Sequence, residues 1–183
     1  MTVPAYTSAE DSALLRRVLR SRSGGCLLEV GAGNGGALVD ASRRHDLVVG
    51  TDILRPAMDD WKGAGSNYVL ADRASCFRAS SFDVVAFNPP YVPMDAGEDP
   101  AVGGGARLEV PKAFLVEAFR VVKRGGEVIF LLNDQADTKE FEKMCSEEGF
   151  TIRREASERA FFEELGVYSA KSSGQGLQAG SPR

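Results

Sequence analysis

The sequence predicts one α/β domain built on a mostly parallel sheet with helices on both faces. Two observations carry this. Strand-like and helix-like segments alternate along the chain, which is how parallel strands are connected. The strand segments are also continuous apolar runs, such as Cys26-Leu27-Leu28-Glu29-Val30 and Phe82-Asp83-Val84-Val85-Ala86-Phe87, not period-two patterns, as expected for strands buried on both sides.

Taken in order, Ser8-Ala9-Glu10-Asp11 opens a helix. Ser8 can cap it, Asp11 stands three residues on as in a capping box, and Leu14, Leu15, Val18 and Leu19 follow at helical spacing. The helix should end near Ser23-Gly24-Gly25. A buried strand, Cys26 to Val30, leads into the turn Gly31-Ala32-Gly33-Asn34-Gly35-Gly36 and a helix from Ala37 to Arg44. Leu47 to Thr51 is a second strand ending at Asp52, Tyr68 to Ala71 a third ending at Asp72, and Phe82 to Phe87 a fourth ending at Asn88. A Pro-, Asp- and Gly-rich loop runs from Pro89 to about Arg107. A helix from Leu108 to Lys123 is stopped by Gly125-Gly126, and Glu127 to Leu132 forms a fifth strand. Thr138 to Glu148 reads as a helix with Gly149 just past its end. Phe150 to Arg154 and Ala160 to Ala170 make two last strands, seven in all. Residues 1–171 form the domain, and 172–183, small and polar, read as a disordered tail.

A chain of 183 residues fits a single core, and 43% hydrophobic residues can fill one. A net charge of −4 argues against stable, non-specific nucleic-acid binding, which needs a clustered basic surface. Cys26, Cys76 and Cys145 are far apart, form no CxxC pair and have only His45 for company, so no metal site is expected and the thiols read as free. No apolar stretch resembles a signal peptide or approaches the ~20 residues of a membrane span, so a cytoplasmic protein is expected.

In such sheets the ligand lies beyond the carboxyl ends of the strands. Four of the predicted strands end in groups with chemistry to offer: Glu29 with the glycine turn, Asp52, Asp72 and Asn88. The glycine turn by itself suits either a plain tight strand-to-helix turn or a nucleotide-cofactor loop, because glycine permits close backbone approach and positive φ, and Asp52 lies where a ribose-binding acid would stand. Three features favour S-adenosylmethionine (SAM) over a dinucleotide. Glu29 puts a carboxylate where a sulfonium and an ammonium suit better than two phosphates. Asp72 can accept from an exocyclic adenine amine. Asn88-Pro89-Pro90-Tyr91 locks the backbone and removes two donors. The Pro89 carbonyl and the Asn88 side-chain oxygen are then paired acceptors for a planar NH₂ group, with the Tyr91 ring to pack against a flat substrate.

EVGAGNGG, the strand ending TDI, the ADR after the third strand and FDVVAFNPPYVP together resemble class I methyltransferases of the HemK/PrmC type, over about residues 6–170. These methylate the glutamine amide of the GGQ loop in peptide-chain release factors. The opening Tyr6-Thr7-Ser8-Ala9-Glu10-Asp11-Ser12, the closing Phe-Phe-Glu-Glu-Leu-Gly-Val-Tyr segment and the absence of a helical N-terminal substrate domain resemble the short archaeal/eukaryotic branch. The resemblance implies a Rossmann-like fold, SAM as cofactor and S-adenosylhomocysteine as product. It implies that Glu29, Gly31, Ala32 and Gly33 line the methionine part of SAM, joined by Ser12 and Tyr6 from the opening segment. Asp52 would bind the ribose with Ile53 beside the adenine, Asp72 the adenine amine with the Arg73 backbone next to it, and Asn88 both cofactor and substrate. The chain departs from the branch at Ser8 (where proline is expected), at Arg73 (often apolar) and in Gly103-Gly104-Gly105-Ala106-Arg107, where GG-x-x-G is usual.

The expected reaction is direct methyl transfer from sulfur to nitrogen, with Asn88, Pro89, Pro90 and Tyr91 as catalytic residues and no strong general base. His45, in a predicted helix end, is given no catalytic role. The branch works with a small zinc-binding activator subunit that pairs edge to edge with the sheet, and the Leu47–Gly50 and Tyr68–Leu70 stretches are the candidate edges. The rival substrates are adenine N6 or guanine N2 in nucleic acid and protein lysine. A SAM- or NAD-binding scaffold is the non-enzymatic rival, against which the intact NPPY motif argues.

Overall fold

A computed structural model describes residues 9–54, 61–90, 109–133, 138–160 and 163–172. The elements are α1 (Ala9–Leu19), β1 (Cys26–Val30), β2 (Leu47–Asp52), β3 (Asn67–Leu70), β4 (Phe82–Phe87), α2 (Glu109–Val121), β5 (Val122–Asn133), α3 (Thr138–Glu147), β6 (Phe150–Ala160) and β7 (Glu163–Ser172). The Ser8 cap, the loop after Pro90 up to residue 108 and the 173–183 tail lie outside the described residues.

The seven strands form one sheet in the order β3-β2-β1-β4-β5-β7-β6. Pairing is parallel from β3 through β5, whereas β7 runs antiparallel to both β5 and β6. The chain builds outward from β1 to β3, then crosses to the other side of β1 to start β4. That crossing is the switch point at which an open α/β sheet binds its ligand.

Continuous apolar strands bury both sides as expected. Leu27, Leu28, Val30, Val85, Ala86, Phe87 and Ile129 are fully buried. Phe87 and Phe130, opposite each other on β4 and β5, stack with ring centroids 5.4 Å apart, and Tyr168 of β7 continues the row at 5.9 Å. α2 and α3 cover this face through Phe114 and Phe141. Side chains alternate along a strand, so Glu127 of β5 points to the other face. There it receives Arg22, just past α1, at 2.9 and 2.8 Å. Helices therefore flank both faces.

Three expectations on the elements need correction. Residues 37–44 form turns and a short 3₁₀ segment, Ala41–Arg43, not an α-helix. Asp40 adopts a left-handed φ of 66°, and Leu38, Ala41, Arg43 and Arg44 donate to carbonyls three residues back, so no i→i−4 ladder forms before the His45 N–H reaches the Ala41 carbonyl at 3.1 Å. α2 ends at Val121, and β5 begins at once with Val122 opposite Phe82, ahead of the glycines. Gly126 then lies against β4 so closely that a Cβ would sit 2.7 Å from the Asp83 carbonyl oxygen. Those glycines thus serve strand pairing across a register shift, where the sequence suggested a helix stop. The last hairpin is longer than expected, with β6 reaching Ala160 and β7 reaching Ser172.

Candidate active site

The site is assembled at the carboxyl ends of β3, β2, β1 and β4, four adjacent strands. Asp52 closes β2, Glu29 is the penultimate residue of β1, and Asn88 follows β4 directly. Asp72 follows β3 by two residues. The four polar residues predicted from the sequence therefore stand side by side across the switch point.

Glu29 is held on a central strand between Gly50 and Ala86. It is only 3% exposed, and its Oε2 is buried with no hydrogen-bond partner among the described residues. Burial, with a smaller contribution from the Asp52 charge, pushes its carboxyl up to about 8. An unpaired carboxylate in such a place costs free energy unless a donor or a cation meets it.

The glycine turn follows β1 directly, with Val30 between it and Glu29. Gly31 and Gly33 have φ of 71° and 53°, a region costly for other residues. A Cβ on Gly31 would lie 3.0 Å from the Phe114 ring. The Ala32 N–H donates to the Thr51 carbonyl at 2.8 Å, and the Gly33 N–H donates to Asp52 Oδ2 at 2.9 Å. Asp52 Oδ1 accepts from the Leu54 N–H at 2.9 Å. Asp52 thus braces the turn with one lone pair on each oxygen and keeps the others for a ligand. Ser12 of α1 approaches from the other side, 3.4 Å from where a Cβ on Gly36 would be.

Ile53 is 57% exposed and Leu54 62%, which places apolar surface beside Asp52. Asp72 is exposed and pairs with Arg73 at 3.1 Å. Arg73 takes a left-handed φ of 50°, and its Nε is buried without a partner among the described residues. On the far side of β1, the Asn88 Oδ1 is likewise buried and unpartnered among the described residues, and Pro89 is buried behind it. Tyr6 and Tyr91 lie outside the described residues.

Trp61 belongs to this neighbourhood although sequence reasoning passed over it. Its ring fills the space left by missing side chains at Gly35 and Gly50, where added Cβ atoms would come within 2.8 and 2.9 Å of it. The Lys62 N–H next to it donates to the Asn34 carbonyl at 2.7 Å. The available signal was that it is the single tryptophan. His45 lies away from the site, buried, with Nδ1–H donating to the Gly24 carbonyl at 2.8 Å.

The donor set discriminates between cofactors. A dinucleotide needs N–H donors at a helix N-terminus for its pyrophosphate, and no α-helix follows this glycine turn. The orphaned oxygens of Glu29 and Asn88 instead call for a ligand that brings donors and positive charge. SAM, with an ammonium and a sulfonium, fits them. The fold and the site define a SAM-dependent class I methyltransferase.

Comparisons with known proteins agree. No family model matches the chain. A protein of Methanocaldococcus jannaschii provisionally named a protein N5-glutamine methyltransferase is 31% identical over 90% of each chain. The chain belongs to that family, the protein N5-glutamine methyltransferases of the HemK/PrmC type. The Mtq2–Trm112 complex of E. cuniculi, responsible for methylation of the translation termination factor eRF1, superposes with a TM-score of 0.74 at 27% identity, covering 90% of this chain and 96% of that one. Magnesium protoporphyrin IX methyltransferase of Synechocystis, solved with bound SAM, shares the fold at a TM-score of 0.63 and 14% identity, covering 90% of this chain and 79% of that one.

Proposed function

We propose that the chain methylates the side-chain amide nitrogen of the GGQ glutamine in a class I peptide-chain release factor, in the cytoplasm, as one half of a heterodimer. The observation that carries the chemistry is the Asn88 Oδ1, buried and unpartnered among the described residues at the end of β4, with Pro89 behind it. An acceptor so placed is costly to the fold by roughly 1–3 kcal/mol, and it repays that cost when a substrate N–H arrives.

When bound, SAM supplies an electrophilic methyl group on a sulfonium. The chain's residues do the rest. Glu29 meets the ammonium, with the backbone of Gly31, Ala32 and Gly33 and the Ser12 hydroxyl beside it. Asp52 takes the ribose hydroxyls on its free lone pairs, Ile53 lies against the adenine, and Asp72 accepts from the adenine amine next to the Arg73 backbone. Asn88 Oδ1 and the Pro89 carbonyl accept both N–H bonds of the glutamine amide. The amide nitrogen is a weak nucleophile because its lone pair is delocalised. Holding it in line is worth up to ~7–11 kcal/mol, and acceptors that stabilise its developing positive charge add ~2.7–4 kcal/mol each. The nitrogen loses a proton readily once it carries that charge, so no dedicated base is needed.

The paired acceptors suit adenine as well as glutamine. Glutamine is supported by the relatives, a named N5-glutamine methyltransferase and an enzyme acting on a termination factor. The heterodimer is supported by the complex in which the latter was solved and by the position of β3 as the outermost strand among the described residues. Asn88→Ala should lower turnover by about 100-fold or more, since one transition-state acceptor is worth that much, while SAM binding by calorimetry changes far less. Near-normal turnover in the variant would sink the role given to Asn88.

A further inference from the structure

The turn that carries Asp72 and Arg73 is tied to β2 at its start, where the Ala71 N–H donates to the Asp52 carbonyl at 2.9 Å. Asp72 is exposed, and its recorded side-chain partner is its neighbour Arg73. The turn is closed by two local bonds, Ser75 N–H to the Asp72 carbonyl at 3.1 Å and Phe77 N–H to the Ala74 carbonyl at 3.0 Å. Its anchors are Ala74, fully buried, and Phe77, edge to face on Phe82 at 4.9 Å.

A further hold, on the far half of the turn, comes from α2. Arg120 Nη1 donates to the Phe77 carbonyl and Nη2 to the Ala74 carbonyl, both at 2.8 Å. The same guanidinium is braced within its helix by Glu117, through Nε at 3.2 Å and Nη2 at 2.8 Å. One planar fork thus binds two carbonyls of the turn, that of Phe77 and that of Ala74, which also accepts from the Phe77 N–H, and is aimed by a carboxylate behind it, which a lysine could not reproduce. The helix is itself fixed to the rest of the site, since Phe114, earlier on α2, lies against Gly31 and Phe87.

We propose that Arg120 is a positioning residue for adenine recognition: from α2 it holds the 72–77 turn so that Asp72 faces the exocyclic amine at a set distance from the glycine turn. The proposal rests on the reading that Asp72 accepts from that amine. Arg120 touches neither cofactor nor substrate. It acts through the backbone of the turn.

The test is calorimetric titration of the full chain, with its activator if co-expressed, using S-adenosylhomocysteine and the analogue bearing a carbonyl in place of the purine amine. The wild type should prefer the adenine form by about tenfold, the equivalent of one lost hydrogen bond to a charged acceptor. Arg120→Gln should weaken binding of the adenine form and shrink that preference towards one, while kcat at saturating SAM stays within about twofold, because Asn88 is not on the turn. Arg120→Lys should recover part of the preference. A wild type without preference would refute the Asp72 reading and the proposal with it. A wild type with preference and an Arg120→Gln variant that keeps it in full would overturn the proposal alone, as would a uniform loss of binding and kcat. Should Arg120→Gln fail to fold, Glu117→Gln, which removes only the brace, should narrow the preference to a smaller extent, and an unchanged preference there overturns the proposal equally.

Discussion

Glu29 is a carboxyl placed where a carboxylate is expensive, at the centre of the sheet with one oxygen unsatisfied among the described residues. The sign of its effect on stability follows from its shift. Below its ordinary 4.5 the group is protonated whether the chain is folded or not. Between 4.5 and about 8 the folded chain keeps a proton that the unfolded chain releases, so stability falls as pH rises through that window and levels above it. Glu29→Gln should remove that slope, as denaturant unfolding at a series of pH values will show. Binding a cation requires the carboxylate, so SAM affinity should rise with pH up to about 8, and the variant should bind ~1.5–3 kcal/mol more weakly with a flatter pH profile. A wild-type affinity independent of pH below that value would contradict the assignment. At this scale the sequence was informative because Glu29, Asp52, Asp72 and Asn88 each terminate or nearly terminate an apolar run, and strand ends in a parallel sheet converge. What it hid was the double duty of Asp52, whose bonds to the Gly33 and Leu54 N–H groups depend on how the turn folds back over β2. Trp61 and Arg120 were hidden for the same reason, being far in sequence from what they support.

Elements that are long and apolar were legible, and those bent by glycine were not. The strands β1, β2 and β4 fall within a residue of their expected ends, because burial on both faces leaves an unbroken apolar signature. The 37–44 segment has helical composition, yet Asp40 in the left-handed region breaks it, a tertiary outcome that propensity does not foresee. The Gly125-Gly126 pair looked like a helix stop when its role is to let β5 lie flat on β4. Gly50 gives a sharper case of spatial demand. A Cβ there would lie 2.8 Å from the Ala32 Cβ and 2.9 Å from the Trp61 ring, between the glycine turn and its support. Gly50→Ala should therefore cost ~1–3 kcal/mol of stability through overpacking, measured by denaturant unfolding, and should weaken SAM binding because Ala32 is displaced. An unchanged midpoint would show that the ring moves aside freely.

At the scale of the whole molecule, no strand among the described residues pairs with the outer side of β3. The expectation of two candidate edges is half corrected: β2 lies inside the sheet between β3 and β1, and β3 alone is the edge on that side. Leu70 on β3 is 61% exposed, near the exposed Ile53 and Leu54, and an unpaired apolar edge invites another strand. This is the surface on which the proposed activator subunit would pair. Leu70→Lys should abolish co-purification with that subunit, a loss of about 2 kcal/mol or more for an anchor at the centre of an interface. Unfolding midpoint and SAM affinity of the variant chain should be unchanged. Retained co-purification would move the interface elsewhere. No helix among the described residues is long and apolar enough to cross a membrane.

The central claim is that the paired acceptors after β4 present a glutamine amide for methylation. Mass spectrometry of the GGQ peptide tests it most directly, after the full chain and its activator have been incubated with SAM and a class I release factor. One added methyl group on the GGQ glutamine is expected, absent when Asn88→Ala replaces the wild type. An unmodified glutamine alongside methylated adenine in an oligonucleotide, or methylated lysine in the same release factor, would contradict it.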